Sequence, residues 1–283
     1  MPELPEVETT RRGLAPHLVG RRLEAVQVRE PRLRWPVAAD LSQALTGATL
    51  TDLRRRAKYL LFDFAQPGGA ITLIAHLGMS GSMRLVNPDT PLLTHDHVCF
   101  CFAGPLELRL NDPRRFGSLH VIPASQQDRA DGTSEAHFLL DHLGPEPLAD
   151  GFDGGYLYRM SRGRRAPVKA FIMDARVVVG VGNIYATEAL FRAGIRPSRP
   201  AGRIAAGRYE SLASAIREVL EEALTMGGTT LRDFVASDGR PGYFRQSLAV
   251  YGRGGEPCRR CGGVLSSARI GQRATVFCPH CQR

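Results

Sequence analysis

Apolar runs long enough to cross a membrane are missing from this 283-residue chain, and a spanning helix needs about 20 consecutive apolar residues. The first residues also lack the basic-then-apolar layout of a secretory signal, so a cytoplasmic protein without membrane contact is expected. Lysine is almost absent. Of 37 basic side chains only Lys58 and Lys169 are lysine, and arginine supplies the rest. Arginine therefore serves wherever only a positive charge is needed. A lysine can release its proton and acts as a compact point charge, so these two positions are candidates for a specific task. Cysteine is scarce too, with six residues, and in a cytosolic chain CxxC pairs favour metal or redox use over disulfides.

Acidic charge is short in the second half of the chain. The formal charge is +9. Residues 1–150 carry 16 basic and 18 acidic side chains, whereas residues 151–283 carry 21 and 10. A near-neutral front joined to a basic back points to a polyanionic partner for the second half; a merely basic, soluble surface is the competing reading. Length allows two domains, each with its own core. The pattern predicts a helix over Val7–Leu18, stopped at Gly20. Eight short strands follow, over 23–29, 50–54, 59–64, 70–77, 82–85, 98–102, 106–110 and 118–121. Gly, Pro, Asn and Asp separate them, as in a β-sandwich or barrel. Residues 123–154 read as a connection, and helices dominate beyond it. The span 204–226 sets Leu212, Ile216, Val219, Leu220, Ala223 and Leu224 on one helical face.

Three motifs carry chemistry. Cys258-x-x-Cys261 and Cys278-x-x-Cys281 have the spacing of a structural four-thiolate zinc site, with Arg269 and Arg273 on the hairpin between the knuckles. Four thiolates leave no open coordination position, so such a metal holds the fold and performs no hydrolysis. Cys99 and Cys101 share one strand face and read as buried small hydrophobes. Gly180-Val181-Gly182-Asn183, at a helix start, presents N–H groups and an amide to a phosphate, or else merely caps that helix. Finally, Pro2-Glu3-Leu4-Pro5-Glu6 follows Met1. If Met1 is removed, Pro2 becomes a secondary amine with a pKa near 8, against about 10.4 for lysine. Such an amine adds to aldehyde-level carbon to give an iminium ion, with Glu3 at hand to move a proton. The other reading is a proline that starts a helix.

Together with Arg56–Leu60, His76–Gly81, His95-Asp96-His97, Asp112–Gly117, Gly180–Ala186 and Ser237–Phe244, these motifs resemble formamidopyrimidine-DNA glycosylase over essentially the whole chain, in order. The resemblance implies an α+β multidomain fold: an N-terminal β-sandwich with a leading helix, a helix–two-turns–helix domain and a four-cysteine zinc finger. The expected division is 1–130 for the catalytic sandwich, 131–154 for a linker, 155–245 for the helical domain and 246–283 for the finger. It further implies one zinc ion, damaged double-stranded DNA as partner, a monomer, and a bacterial cytoplasmic location associated with the nucleoid through DNA.

By the same resemblance Pro2 is the nucleophile toward C1′ of an oxidised purine nucleotide. Glu3 is the general acid and Glu6 a supporting carboxylate. A helix N-terminus disfavours the iminium cation, and Glu3 and Glu6 would offset that. Lys58 assists the first elimination, Arg273 the second. His76, His95, Arg164, Lys169, Asn183 and Tyr243 contact DNA. Met79, Arg114 and Phe116 fill the gap left by the flipped nucleotide, and Gly227–Thr230 closes over the purine. Two alternatives stand beside this reading. One is an endonuclease VIII-type glycosylase for oxidised pyrimidines, against which Leu4 and the Met79/Arg114/Phe116 set argue. The other is a non-catalytic zinc-finger DNA-binding protein.

Overall fold

The computed structural model describes residues 2–123, 139–227 and 247–283. Two compact units emerge: the first runs to Asp141, and the second holds His142–Met226 and the C-terminal residues to Arg283.

The first unit opens with α1 (Leu4–Leu18). It begins three residues earlier than the sequence pattern predicts, because Pro5 in the first turn forfeits no intrahelical bond. The Glu3 N–H, one of the orphan donors at a helix start, donates to Glu6 Oε2 at 2.8 Å. Eight strands follow: β1 (Leu23–Val28), then, after the short α2 (Leu41–Leu45), β2 (Thr49–Arg56), β3 (Tyr59–Gln66), β4 (Gly69–His76), β5 (Ser82–Val86), β6 (Asp96–Phe102), β7 (Leu106–Asn111) and β8 (Ser118–Pro123). They form two antiparallel four-stranded sheets, ordered β1-β6-β7-β5 and β2-β3-β4-β8. Alternation decides which residues meet between the sheets. Val98, Phe100, Phe102, Leu108 and Leu110 face inward from one sheet, and Leu53, Leu60, Phe62, Phe64 and Leu73 from the other. Val7, Leu14 and Leu18 of α1 join the same cluster. Each such side chain, fully buried, contributes about 1.5–3 kcal/mol.

The second unit contains α3 (Gly154–Ser161), α4 (Val168–Ile172), α5 (Asn183–Arg192), α6 (Ala206–Thr225) and the hairpin β9 (Ser266–Ile270)–β10 (Arg273–Phe277). Asp153 caps α3, accepting the Tyr156 N–H at 2.6 Å. The buried face of α6 carries Tyr209, Leu212, Ile216, Val219, Leu220 and Ala223, and α3 and α5 pack against it. Glu188 of α5 is 2 % exposed. It accepts the N–H groups of Ala249, Val250 and Tyr251 at 2.8, 3.0 and 2.7 Å, tying the segment that leads to the cysteines to α5. No helix among the described residues is long and apolar enough to cross a membrane.

Candidate active site and nucleic-acid interface

In the first unit the start of α1 is enclosed. Pro2 is buried, and Glu3 and Glu6 are 2 % and 0 % exposed. Two carboxyl groups thus lie buried within four residues of Pro2, where solvent screens them little, which strengthens their influence on any charge formed nearby.

Lys58 stands on the two-residue turn joining β2 to β3, where Arg56 pairs with Tyr59. Ala57, just before it, takes a left-handed conformation with φ 55°, a conformation that costs an L-residue about 1–2 kcal/mol. His76, at the end of β4, sets its ring 5.0 Å from that of Tyr59 at an interplanar angle of 53°. The Gly78 N–H donates to His76 Nδ1 at 3.0 Å, which leaves the proton of the neutral ring on Nε2. Burial, with Lys58 and Arg34 nearby, pushes the His76 pKa down to about 4. At neutral pH the ring is therefore an uncharged N–H donor, suited to a phosphate oxygen.

Three loops bring the remaining first-unit candidates together, and Asp112 organises them. Its carboxylate is 0 % exposed; it accepts the Ser80 hydroxyl at 2.7 Å and the Gly117 N–H at 2.8 Å. Its own N–H donates to the His95 carbonyl at 3.0 Å, and its carbonyl bonds His97 Nε2 at 2.8 Å. Met79, half-buried, lies on one of these loops, and Arg114 and Phe116, both exposed, on another. The Arg114 guanidinium sits 4.9 Å over the Phe116 ring. An exposed aromatic held by a cation is placed to meet a partner, not to fill a core. In the sequence Asp112 counts only as the first residue of the motif 112–117, with no role of its own, because an Asn-Asp-Pro run reads as an ordinary turn.

In the second unit, Asn183 begins α5, and its Nδ2 donates to the Ala274 carbonyl at 3.2 Å. Lys169 is 1 % exposed. Its ammonium donates to that same carbonyl at 3.2 Å and to Thr275 Oγ1 at 2.7 Å. The second of the two lysines is therefore a strut under β10 and not a surface cation. It fixes the strand that begins with Arg273, which is exposed. Arg273 directly follows the turn of Gly271 and Gln272, at φ 53° and 61°, the left-handed pair that a two-residue hairpin requires. Arg164 is exposed beside Arg165 and Arg203. Tyr243, the segment 237–244 and positions 228–230 lie outside the described residues.

The ligand atoms of Cys258, Cys261, Cys278 and Cys281 all lie within 4.8 Å of one another. Cys261 and Cys278 sulfurs are 3.5 Å apart, far beyond the roughly 2.05 Å of a disulfide. Burial raises the Cys258 thiol, but the N–H groups of Arg260 and Cys261, together with the thiols of Cys278 and Cys261, outweigh it and bring the pKa down to about 7. Burial and the neighbouring sulfurs push Cys281 up to about 12. Four sulfurs this close ionise together only around a cation, and their geometry and softness fit one tetrahedral zinc. Cys99 is 1 % exposed; burial, then Glu107, pushes its thiol up to about 12, so it is inert.

Three family models match in order: "Formamidopyrimidine-DNA glycosylase N-terminal domain" over residues 1–119, "Formamidopyrimidine-DNA glycosylase H2TH domain" over 143–235 and "Zinc finger found in FPG and IleRS" over 255–283. A formamidopyrimidine-DNA glycosylase of Methylococcus capsulatus is 59 % identical across 100 % of both chains. A crystal structure of a point mutant of the Lactococcus lactis enzyme with DNA containing Fapy-dG superposes with a TM-score of 0.89, at 34 % identity over 100 % of both chains. The wild-type Lactococcus lactis enzyme with DNA containing an oxidised pyrimidine gives 0.88 at 34 % identity over 100 % of both chains. This chain belongs to the formamidopyrimidine-DNA glycosylase family.

Proposed function

We propose that this protein excises oxidised purines, 8-oxoguanine and formamidopyrimidines, from duplex DNA and then cuts the strand, through a covalent intermediate at Pro2. Family membership makes it a DNA glycosylase with AP lyase activity. The observation that supports the residue-level reading is the enclosed first turn of α1, where Glu3 and Glu6, close after Pro2 in the chain, have almost no solvent contact.

Once Met1 is removed, the Pro2 nitrogen attacks C1′ while the bond from C1′ to the base breaks. Glu3 supplies the proton taken up by the departing base or by the ring oxygen, and the nitrogen lone pair then breaks the C1′–O4′ bond, so that the sugar opens with its ring oxygen leaving as a hydroxyl. The resulting iminium acidifies C2′–H. Loss of that proton sends its electron pair to expel the 3′ phosphate, and a second elimination expels the 5′ phosphate. Lys58, able to give up a proton, assists the first elimination; Arg273 grips the phosphate for the second. His76 and Asn183 contribute donors to the backbone, with His95, Arg164 and Tyr243 as further DNA contacts. Met79, Arg114 and Phe116 occupy the space that the flipped nucleotide vacates, offsetting an unstacking cost of a few kcal/mol. Lys169 serves the interface through β10. The four cysteines hold one zinc, which leaves no open position for chemistry and steadies the hairpin that carries Arg273. We place the active protein as a monomer in the bacterial cytoplasm, associated with the nucleoid through DNA.

Paired cleavage assays test this reading. Duplexes with 8-oxoguanine opposite cytosine should be cut faster than duplexes with thymine glycol. Since a relative was crystallised with an oxidised pyrimidine, cleavage of the second substrate alone would transfer the assignment to the pyrimidine class. Cleavage of neither would leave a binding protein.

A further inference from the structure

We propose that Glu8 and Arg55 form a positioning clamp that ties the Lys58 turn to the helix carrying Pro2, and so set the elimination step apart from covalent capture. Four hydrogen bonds carry this inference. Arg55 Nε donates to Glu8 Oε2 at 3.1 Å, and the same guanidinium donates through Nη1 to the Ala57 carbonyl at 3.0 Å. Arg11, one turn along α1, donates to Glu8 Oε1 at 2.8 Å and reaches across to the Leu53 carbonyl of β2 at 3.3 Å. Glu8 is 8 % exposed, and Arg12 closes its remaining side at 2.9 Å. Burial raises the Glu8 pKa, but Arg11, Arg12 and Arg55 overcome it and hold the group below the usual carboxylate range. Glu8 is therefore charged at neutral pH.

The Ala57 carbonyl belongs to the residue held at φ 55°, directly before Lys58. Left-handed alanine is unfavourable, and it persists only where its surroundings hold it. One arginine spanning a carboxylate on α1 and the strained peptide supplies that restraint. Its planar fork does so in fixed geometry, which a lysine at position 55 cannot copy. Pro2 and Lys58 act on the same sugar in successive steps, so their mutual distance matters most after the imine has formed. The clamp acts through Lys58; neither member is itself a catalytic residue.

The test rests on the Pro2 chemistry above and separates the two claims. Full-length, zinc-loaded protein and the variants Glu8→Gln, Arg55→Met, Arg55→Lys and Lys58→Ala are given a duplex with one abasic site in single turnover. Borohydride trapping measures imine formation, and gel analysis measures scission. Glu8→Gln and Arg55→Met are expected to slow scission at least tenfold while trapping changes by no more than about twofold. In a Lys58→Ala background the same substitutions should cost no further scission. Arg55→Lys, which keeps the charge and guards against misfolding, should retain its thermal midpoint and still lose scission. Equal slowing of trapping and scission, full scission in Arg55→Lys, or losses that add to those of Lys58→Ala would each overturn the clamp. No adduct in the unsubstituted protein would overturn the Pro2 chemistry and the clamp with it.

Discussion

Replacing Gly78 with alanine should force apart the two loops that carry Met79 and Phe116. A Cβ at position 78 would lie 2.4 Å from the Phe116 carbonyl carbon, 2.5 Å from the Gly117 nitrogen and 2.6 Å from the Phe116 oxygen. All three are backbone atoms, so no side chain can rotate away. The residue also sits at φ +64°, where alanine costs about 1–2 kcal/mol. Displacing packed backbone adds about 1–3 kcal/mol. Gly20 is the control: its φ is +85°, with nothing within 4 Å of the added carbon, so Gly20→Ala should cost only the conformational part, about 1–2 kcal/mol. Urea unfolding followed by fluorescence gives both values, and Gly78→Ala should be the less stable by about 1–3 kcal/mol. A 2-aminopurine opposite the lesion reports whether Met79, Arg114 and Phe116 still enter the duplex, and its signal should change only for Gly78→Ala. Equal destabilisation by the two substitutions, with an unchanged 2-aminopurine signal, would refute the close packing of these loops.

His76 makes stability depend on pH. Between about 6.5, where the unfolded imidazole titrates, and about 4, where the folded one does, only the unfolded chain binds the extra proton. Stability therefore falls as pH falls through that window, on the order of 3 kcal/mol in all. His76→Gln should remove that dependence in urea titrations at stepped pH; an unchanged slope would contradict the burial of the ring. Lys169→Met removes the bonds to Thr275 and Ala274, so the second elimination should slow about tenfold, equivalent to about 1.4 kcal/mol. Products ending in a 3′ unsaturated aldehyde should then accumulate on gels, and an unaltered product ratio would count against the strut. Mass spectrometry under native conditions should find one zinc per chain and none in Cys278→Ser. Stripping the metal should expose residues 247–283 to hydrogen exchange, since structural zinc supplies about 10–16 kcal/mol to isolated fingers. Protection that survives chelation would contradict a structural role.

The eight strands were legible because Gly, Pro, Asn and Asp separate runs of alternating apolar residues, and every run emerged as a strand with shifts of a residue or two. The five-residue α2 was not, since one turn shows no period and only Leu41 and Leu45 are buried. At the cysteines, spacing alone announced the cluster. At the lysines, rarity flagged two positions without telling their roles apart. Lys169 meets Thr275 across 106 residues, a pairing that no local pattern encodes. Glu188 and Arg55 were silent for the same reason, and Asp112 showed only as the first residue of a motif: a buried charge is recognised by its partners, and theirs lie on other elements. Glu8 carries no role in the sequence by itself; its partner Arg55 comes from β2.

The most direct measurement is to locate the covalent bond. Protein reacted with a duplex bearing 8-oxoguanine in the presence of borohydride, digested and sequenced by mass spectrometry, should carry the reduced sugar on the nitrogen of Pro2, with Met1 gone. A sugar attached to Lys58, or lesion excision by native protein with no attached sugar at all, would contradict it.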